Sequence, residues 1–311
     1  MQLLQEGTHG HRVVFSEVRT TSSLAAAGAD AALAGADVAF GQPDAGQVMR
    51  SSNLLRWVHL TSAGYTRYDS AEFRHAAAAR GMPLTNSSSV YAEPCAEHVF
   101  SFMLANARRL DIARDIQRGD RSWPTLPIRE KSRLLLGQNA LLLGFGAIGR
   151  RLAELLAPFS MKLEALRRRP VGNENESIRV ITAGKLAAAL AVADHVINIL
   201  PDNAQTRGFV TARMFDAMKP GAVFYNIGRG TTIDQEALIE RLRSGRLGAA
   251  WLDVTEPEPL PPDHPLWRAP NCFITPHTAG GHDTEFERLA RHFLDNLALF
   301  TAGRELIDMV M

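Results

Sequence analysis

The chain has 311 residues, more than one hydrophobic core usually organises, and this predicts two domains. Apolar residues at 46% and charged residues at 22% exclude a disordered or fibrous chain. With 34 Lys and Arg against 33 Asp and Glu there is no overall basic field for nucleic acid or an anionic membrane, which leaves small, locally recognised ligands.

The opening residues Met1 to Glu6 lack the charged, apolar and small-residue succession of a signal peptide, and no uncharged run approaches the ~20 residues of a membrane span. Val13–Phe15, Val38–Phe40, Trp57–Leu60 and Pro83–Thr85 read as short strands of a small α/β domain. Ser70 as N-cap, an Ala-rich body and Gly81 mark a helix, and Pro94 is expected to open another. That second helix is apolar nearly all round through Val99, Phe100, Phe102, Met103 and Leu104, so it belongs in a buried position. Cys95 and Cys272 are the only cysteines and lie far apart, which argues for a reducing, cytoplasmic setting rather than a disulfide framework.

From about residue 138, β-type runs alternate with helical patterns at the spacing of βαβ units. The strands are expected at Ala140–Leu143, Lys162–Leu166, His195–Leu200, Ala222–Ile227, Ala249–Asp253 and Cys272–Thr275. Helices are expected at Arg150–Ala157, Gly184–Ala193, Ala212–Met218 and Glu236–Ser244. This is a doubly wound parallel sheet, a Rossmann-type α/β domain. A last helix, Thr284 to Phe300, is placed back with the small domain, so the large domain is an insertion: residues 1–96 and 284–311 form one domain, 97–283 the other.

Leu141-Leu142-Leu143 runs into Gly144-Phe145-Gly146-Ala147-Ile148-Gly149 and then an amphipathic helix. Gly144 suits the tight turn, Gly146 the approach of a pyrophosphate, and Gly149 close helix–strand packing, while the amides at Ala147 and Ile148 open the helix toward an anion. Strand, glycine turn and helix in this order point to a dinucleotide-binding domain over 97–283. After the second strand, where a carboxylate would bind a ribose 2′-hydroxyl, stand Arg167-Arg168-Arg169. Cations there favour a 2′-phosphate and hence NADPH, with NAD left open and a solvated charge run as the bland reading.

In this fold ligands lie beyond the carboxyl ends of the strands. Three segments there carry chemistry: Asn226-Ile227-Gly228-Arg229-Gly230, Asp253-Val254-Thr255-Glu256-Pro257-Glu258-Pro259 and Thr275-Pro276-His277-Thr278-Ala279-Gly280-Gly281. Hydride arrival at a keto carbon builds negative charge on its oxygen, which needs a proton donor and an adjacent cation. His277 can give the proton, Arg229 supplies the charge and a fork for a carboxylate, and Glu258 can orient the imidazole. Singly, each could be structural; their joint position past successive strands makes the chemical reading. His98 reads as a hydrogen-bonded structural histidine, and no His/Cys cluster has zinc spacing.

Over nearly the whole chain these segments resemble the D-2-hydroxyacid dehydrogenase family, NAD(P)-dependent enzymes that interconvert 2-keto and D-2-hydroxy acids. The resemblance implies that Arg229 binds the substrate carboxylate and carbonyl, that Glu258 and His277 form the acid/base pair, and that Asp253 holds the nicotinamide carboxamide. It places Pro201 with the cofactor-binding residues and gives the backbone amides of Ser62-Ala63-Gly64, above all Ala63 and Gly64, to the substrate carboxylate. It also implies a flavodoxin-like small substrate domain and a homodimer built on the large one. Glu258-Pro259-Leu260-Pro261-Pro262 with Pro265-Leu266-Trp267 is most similar to the glyoxylate/hydroxypyruvate reductase branch. The competing expectation is a dinucleotide-sensing corepressor or scaffold on the same fold, against which the lack of basic tails counts.

Overall fold

The computed structural model describes residues 2–18, 25, 27–51, 54–168 and 178–311. The chain divides into two compact units, residues 1–91 with 281–311 and residues 92–280. In chain order the first unit has α1 (Gln2–Gly7), β1 (Val38–Gly41), α2 (Ala45–Arg50), β2 (Trp57–Leu60), α3 (Ala71–Ala79) and β3 (Leu84–Thr85), and then the start of α4 (Ser88–Arg108). The strands make a parallel sheet in the order β1-β2-β3. Its core is Val48, Val58, Leu60, Tyr68, Phe73 and Leu84. Ser70 caps α3 as its sequence predicts, accepting from the Phe73 amide at 3.0 Å.

Two expectations fail here. Val13–Phe15 is not a strand: its three side chains are exposed and no neighbouring strand completes its backbone hydrogen bonds among the described residues. Pro94 does not open its helix but lies inside α4, which begins at Ser88. One near and one distant side chain satisfy the first amides: Asn86 Oδ1 accepts from Ser88 at 3.2 Å, and Asp308 Oδ2 from Ser89 at 2.8 Å. The two units divide at 91/92 and at 280/281.

The second unit continues through α5 (Leu110–Arg118), α6 (Thr125–Lys131), β4 (Asn139–Leu143), α7 (Ala147–Leu156), β5 (Lys162–Leu166), β6 (Ile178–Ile181) and α8 (Leu186–Val192). It closes with β7 (His195–Asn198), α9 (Ala212–Ala217), β8 (Val223–Asn226), α10 (Gln235–Arg243), β9 (Ala249–Leu252) and β10 (Cys272–Ile274). Seven strands, not six, form one wholly parallel sheet in the order β10-β9-β8-β7-β4-β5-β6. The strand missed, β6, is a four-residue edge strand interrupted by the exposed Arg179, too short to stand out from a polar surrounding. Leu141, Leu143, Val196, Phe215, Phe224, Leu238 and Leu252 centre the core on one face of this sheet. The strand order reverses at β4, which has β5 on one side and β7 on the other, and that reversal opens a crevice above the carboxyl ends.

The chain returns to the first unit with α11 (Glu285–Thr301), which buries Leu289, Phe293 and Leu297. Beyond it the backbone pairs with β3: Leu84 N donates to Met311 O and Val310 N to Leu84 O, both at 2.9 Å, and Asn86 N to Asp308 O at 3.0 Å. His292 Nε2 of α11 stands 3.2 Å from Asp308 Oδ2, the same oxygen that caps α4. Among the described residues no helix is long and apolar enough to cross a membrane.

Candidate active site

The crevice begins with the glycine turn. Gly144 has φ +104, where a side chain would be strained, and a Cβ on Gly149 would stand 3.2 Å from the Gly144 carbonyl oxygen and the Phe145 ring. Glycine is thus needed for the turn and for seating α7 on β4. Gly146, the N-cap of α7, has open space where a Cβ would be and caps without a side chain. The first amides of α7, from Ala147 and Ile148 on, are therefore available to an anion.

Arg167 and Arg168 follow β5 as expected. The Arg168 guanidinium donates to the Gln205 side-chain carbonyl, a group on the loop past β7. Arg169 lies outside the described residues. Pro201 is exposed on the same β7 loop, its carbonyl accepting from the Thr206 hydroxyl at 2.5 Å.

A buried polar network holds the loop past β8. Asn198, the last residue of β7, donates through Nδ2 to Asn226 Oδ1 at 2.9 Å and to Thr232 Oγ1 at 2.7 Å. Asn226 Oδ1 accepts from the Gly228 amide at 3.1 Å, and the Arg229 carbonyl receives Asn226 Nδ2 at 3.2 Å and the Thr232 hydroxyl at 2.6 Å. A Cβ on Gly228 would come within 2.5 Å of the Leu200 carbonyl oxygen. The loop carrying Arg229 is wedged between its neighbours, so glycine on both sides of the arginine is a packing requirement. Asn198 and Thr232 were not picked out from sequence; the only signal was a polar residue ending an apolar strand.

Asp253 is 2% exposed at the end of β9. Its Oδ1 accepts from the Thr275 hydroxyl at 2.6 Å and the Thr278 amide at 2.8 Å, its Oδ2 from the Ala279 amide at 3.0 Å. Its carbonyl oxygen accepts from the His277 amide at 2.8 Å. His277 is thereby held at φ +53, an uncommon backbone state for a residue with a side chain.

In that pose His277 Nδ1 lies 2.7 Å from Glu258 Oε2. The other Glu258 oxygen accepts from the Thr255 amide at 3.0 Å. Burial alone would raise the Glu258 carboxyl, but the bonds from His277 and Thr255, with the nearby Arg229 charge, hold it below the usual carboxylate range. The pair stays open to solvent, the side chains 34% and 37% exposed, and His277 Nε2 has no partner among the described residues. Arg229, Glu258, His277 and Asp253 thus come together in one unit with the glycine turn. Such an arrangement can bind a carboxylate, hold a dinucleotide and move one proton. Among the described residues no group of three or more His, Cys, Asp or Glu could hold a metal ion.

Ala63 and Gly64 belong to the first unit. Their loop is tied down by Gln42, which donates to Ser62 Oγ at 2.9 Å, and by Asn86, which donates to the Ala63 carbonyl at 2.6 Å. Neither tie was anticipated from sequence.

A family model for the D-isomer specific 2-hydroxyacid dehydrogenase, NAD binding domain, matches residues 100–279. The chain is 34% identical over 255 residues to glyoxylate/hydroxypyruvate reductase B of Citrobacter koseri, across 78% of this chain and 74% of that one. A D-isomer specific 2-hydroxyacid dehydrogenase from Xanthobacter autotrophicus Py2, solved in complex with NADPH and MES, matches with TM-score 0.81 and 25% identity, covering 100% of this chain and 93% of that one. An NADPH-dependent glyoxylate/hydroxypyruvate reductase from Sinorhizobium meliloti, in complex with NADP and sulfate, matches with TM-score 0.77 and 26% identity over 89% and 85% of the two chains.

Proposed function

This chain belongs to the D-isomer specific 2-hydroxyacid dehydrogenase family, and on that premise we propose that it reduces a small 2-keto acid of the glyoxylate and hydroxypyruvate kind to the D-2-hydroxy acid with NADPH. The observation that carries the reading is the His277–Glu258 pair at 2.7 Å, close enough to Arg229 for its charge to act on Glu258.

The uncapped start of α7 and the open space at Gly146 suit a pyrophosphate, and Arg167 and Arg168 suit a 2′-phosphate. We assign Gly144, Gly146, Ala147, Ile148, Gly149 and Pro201 to the same cofactor. Asp253 Oδ2 accepts one amide and so retains a lone pair for the nicotinamide carboxamide. NADPH, when bound, supplies the hydride that reaches the keto carbon. As charge builds on the keto oxygen, His277 gives it a proton from Nε2, because Nδ1 is engaged by Glu258. The Glu258 carboxylate, held on Nδ1, fixes the ring so that Nε2 is the donor. Arg229 binds the substrate carboxylate through two parallel hydrogen bonds and steadies the developing oxyanion. The amides of Ala63 and Gly64 are assigned to carboxylate recognition, which makes the first unit the substrate domain and the second the dinucleotide-binding domain.

We also assign a homodimer, built on α5 and α6. Neither helix buries a residue; Leu110 and Trp123 stand 56% and 92% exposed on an apolar hollow of about 980 Å³, and Leu126 is 67% exposed. The cytoplasm is the setting that fits two unpaired cysteines. Steady-state assays with NADPH and glyoxylate, hydroxypyruvate and phenylpyruvate test the activity. Turnover of the two smaller acids is expected, and no turnover of any 2-keto acid would overturn the proposal.

A further inference from the structure

We propose that Thr275 and His98 are positioning residues for His277, acting through the Asp253 carboxylate. The kinetic arm of the test rests on the reductase reading above; the structural arm does not.

The direction of each hydrogen bond follows from proton count. Asp253 Oδ1 can only accept, so the Thr275 hydroxyl 2.6 Å away spends its single proton there. His98 Nε2, 3.1 Å from that hydroxyl, must then donate to it, which fixes the imidazole as the tautomer protonated at Nε2. The His98 ring is kept in place by Phe102, edge-on at 4.4 Å between centroids. Burial lowers His98 further than Asp253 raises it, in keeping with a neutral ring.

What this relay fixes is the far side of Asp253. Three consecutive amides close on that one residue: His277 on its carbonyl oxygen, Thr278 and Ala279 on its two carboxylate oxygens. They define the turn in which His277 holds φ +53, and a sparsely populated backbone state persists only where its surroundings over-determine it. A carboxylate free to rotate cannot hold two adjacent amides in register. Thr275 and His98 remove that freedom, and so set the direction in which the imidazole meets Glu258.

The structural arm measures amide hydrogen exchange over residues 276–280 in the full chain. Thr275→Val keeps the shape of the side chain and deletes the hydroxyl, and exchange there should quicken; Thr275→Ser keeps the hydroxyl, and most of the protection should return. In the kinetic arm, Thr275→Val should lower kcat for 2-keto acid on the order of 10–100-fold, as a small misplacement of a reacting group does. His98→Leu removes the donor from the other side and serves equally if Thr275→Val does not fold, while His98→Gln offers an N–H in its place and should recover part of the loss. Parent-like exchange in both Thr275→Val and His98→Leu overturns the proposal, as does a Thr275→Ser enzyme as impaired as Thr275→Val. Turnover by the parent separates this outcome from failure of the reductase reading itself.

Discussion

Gly230 lies so close to Thr255 that a Cβ built on it would stand 2.0 Å from both the carbonyl carbon and the carbonyl oxygen of Thr255. The obstacle is backbone, which cannot swing aside as a side-chain tip can. Gly230→Ala must therefore separate the loop bearing Arg229 from the loop bearing Glu258. Overpacking of this kind costs about 1–3 kcal/mol, and the expected outcome is a Tm several degrees lower together with a fall in kcat/KM for the keto acid. Calorimetry and steady-state kinetics check it; a Gly230→Ala enzyme matching the parent in both would contradict the geometry.

The acid/base pair makes a signed prediction. Glu258 is held below the ordinary carboxylate range, so it is anionic wherever His277 acts. Glu258→Gln removes that anion and makes the imidazolium easier to deprotonate, so the pH above which keto-acid reduction fails should move down. His277→Ala should lose ~10²–10⁴-fold in turnover while cofactor affinity stays near that of the parent. Because the carboxyl is lowered in the folded state, its contribution to stability is present above the ordinary carboxylate range and disappears as the pH falls through the lowered value. A Glu258→Gln pH profile overlying that of the parent would remove Glu258 from the role.

Cofactor preference should follow charge at the end of β5. Hydrogen bonds to charged groups are worth ~1.5–3 kcal/mol, so Arg167→Asp with Arg168→Ala should reduce NADPH preference by roughly ten- to a few-hundred-fold. In the parent, raised salt should weaken NADPH use more than NADH use, since exposed cations are screened. Equal use of both cofactors by the parent would assign the arginines to solvent.

Trp123 supplies the test of assembly. At 92% exposure the indole contributes nothing to the core of its own chain, so Trp123→Glu should leave Tm in dilute solution nearly unchanged. If α5 and α6 meet a second copy, the charge is buried at the contact and the dimer should dissociate. Sedimentation velocity reads the outcome: a monomeric parent, or a variant dimerising as tightly as the parent, removes these helices from the interface.

What could be read from sequence was what is local. The glycine turn, the Ser70 cap and the three segments past β8, β9 and β10 each declare themselves within a few residues, because strand, turn and helix there follow one another directly. The start of α4 did not, since the group that satisfies the Ser89 amide is the far-off Asp308. The reason for glycine on either side of Arg229 was equally hidden: it lies in Leu200 and Thr255, on two other loops. Asn198 acts by donating to Asn226 and Thr232, and its contact with Asn226 is made only when β7 and β8 pair. Val13–Phe15 misled for the converse reason, a β-type run with no neighbour to pair with among the described residues.

The way α4 and β3 are completed by Asp308, Val310 and Met311 bears on how the protein is made. A ribosome delivers residues 92–280 in full before segment 281–311 has emerged, so the parallel sheet of seven strands can close during synthesis. The other unit has to wait. Until its second segment arrives, the Leu84 amide lacks Met311, the Ser89 amide lacks Asp308, and the apolar surfaces meant for Phe293 and Leu297 stay wet. The interval between these events is the time in which a nascent chain exposes an unpaired strand edge to its neighbours.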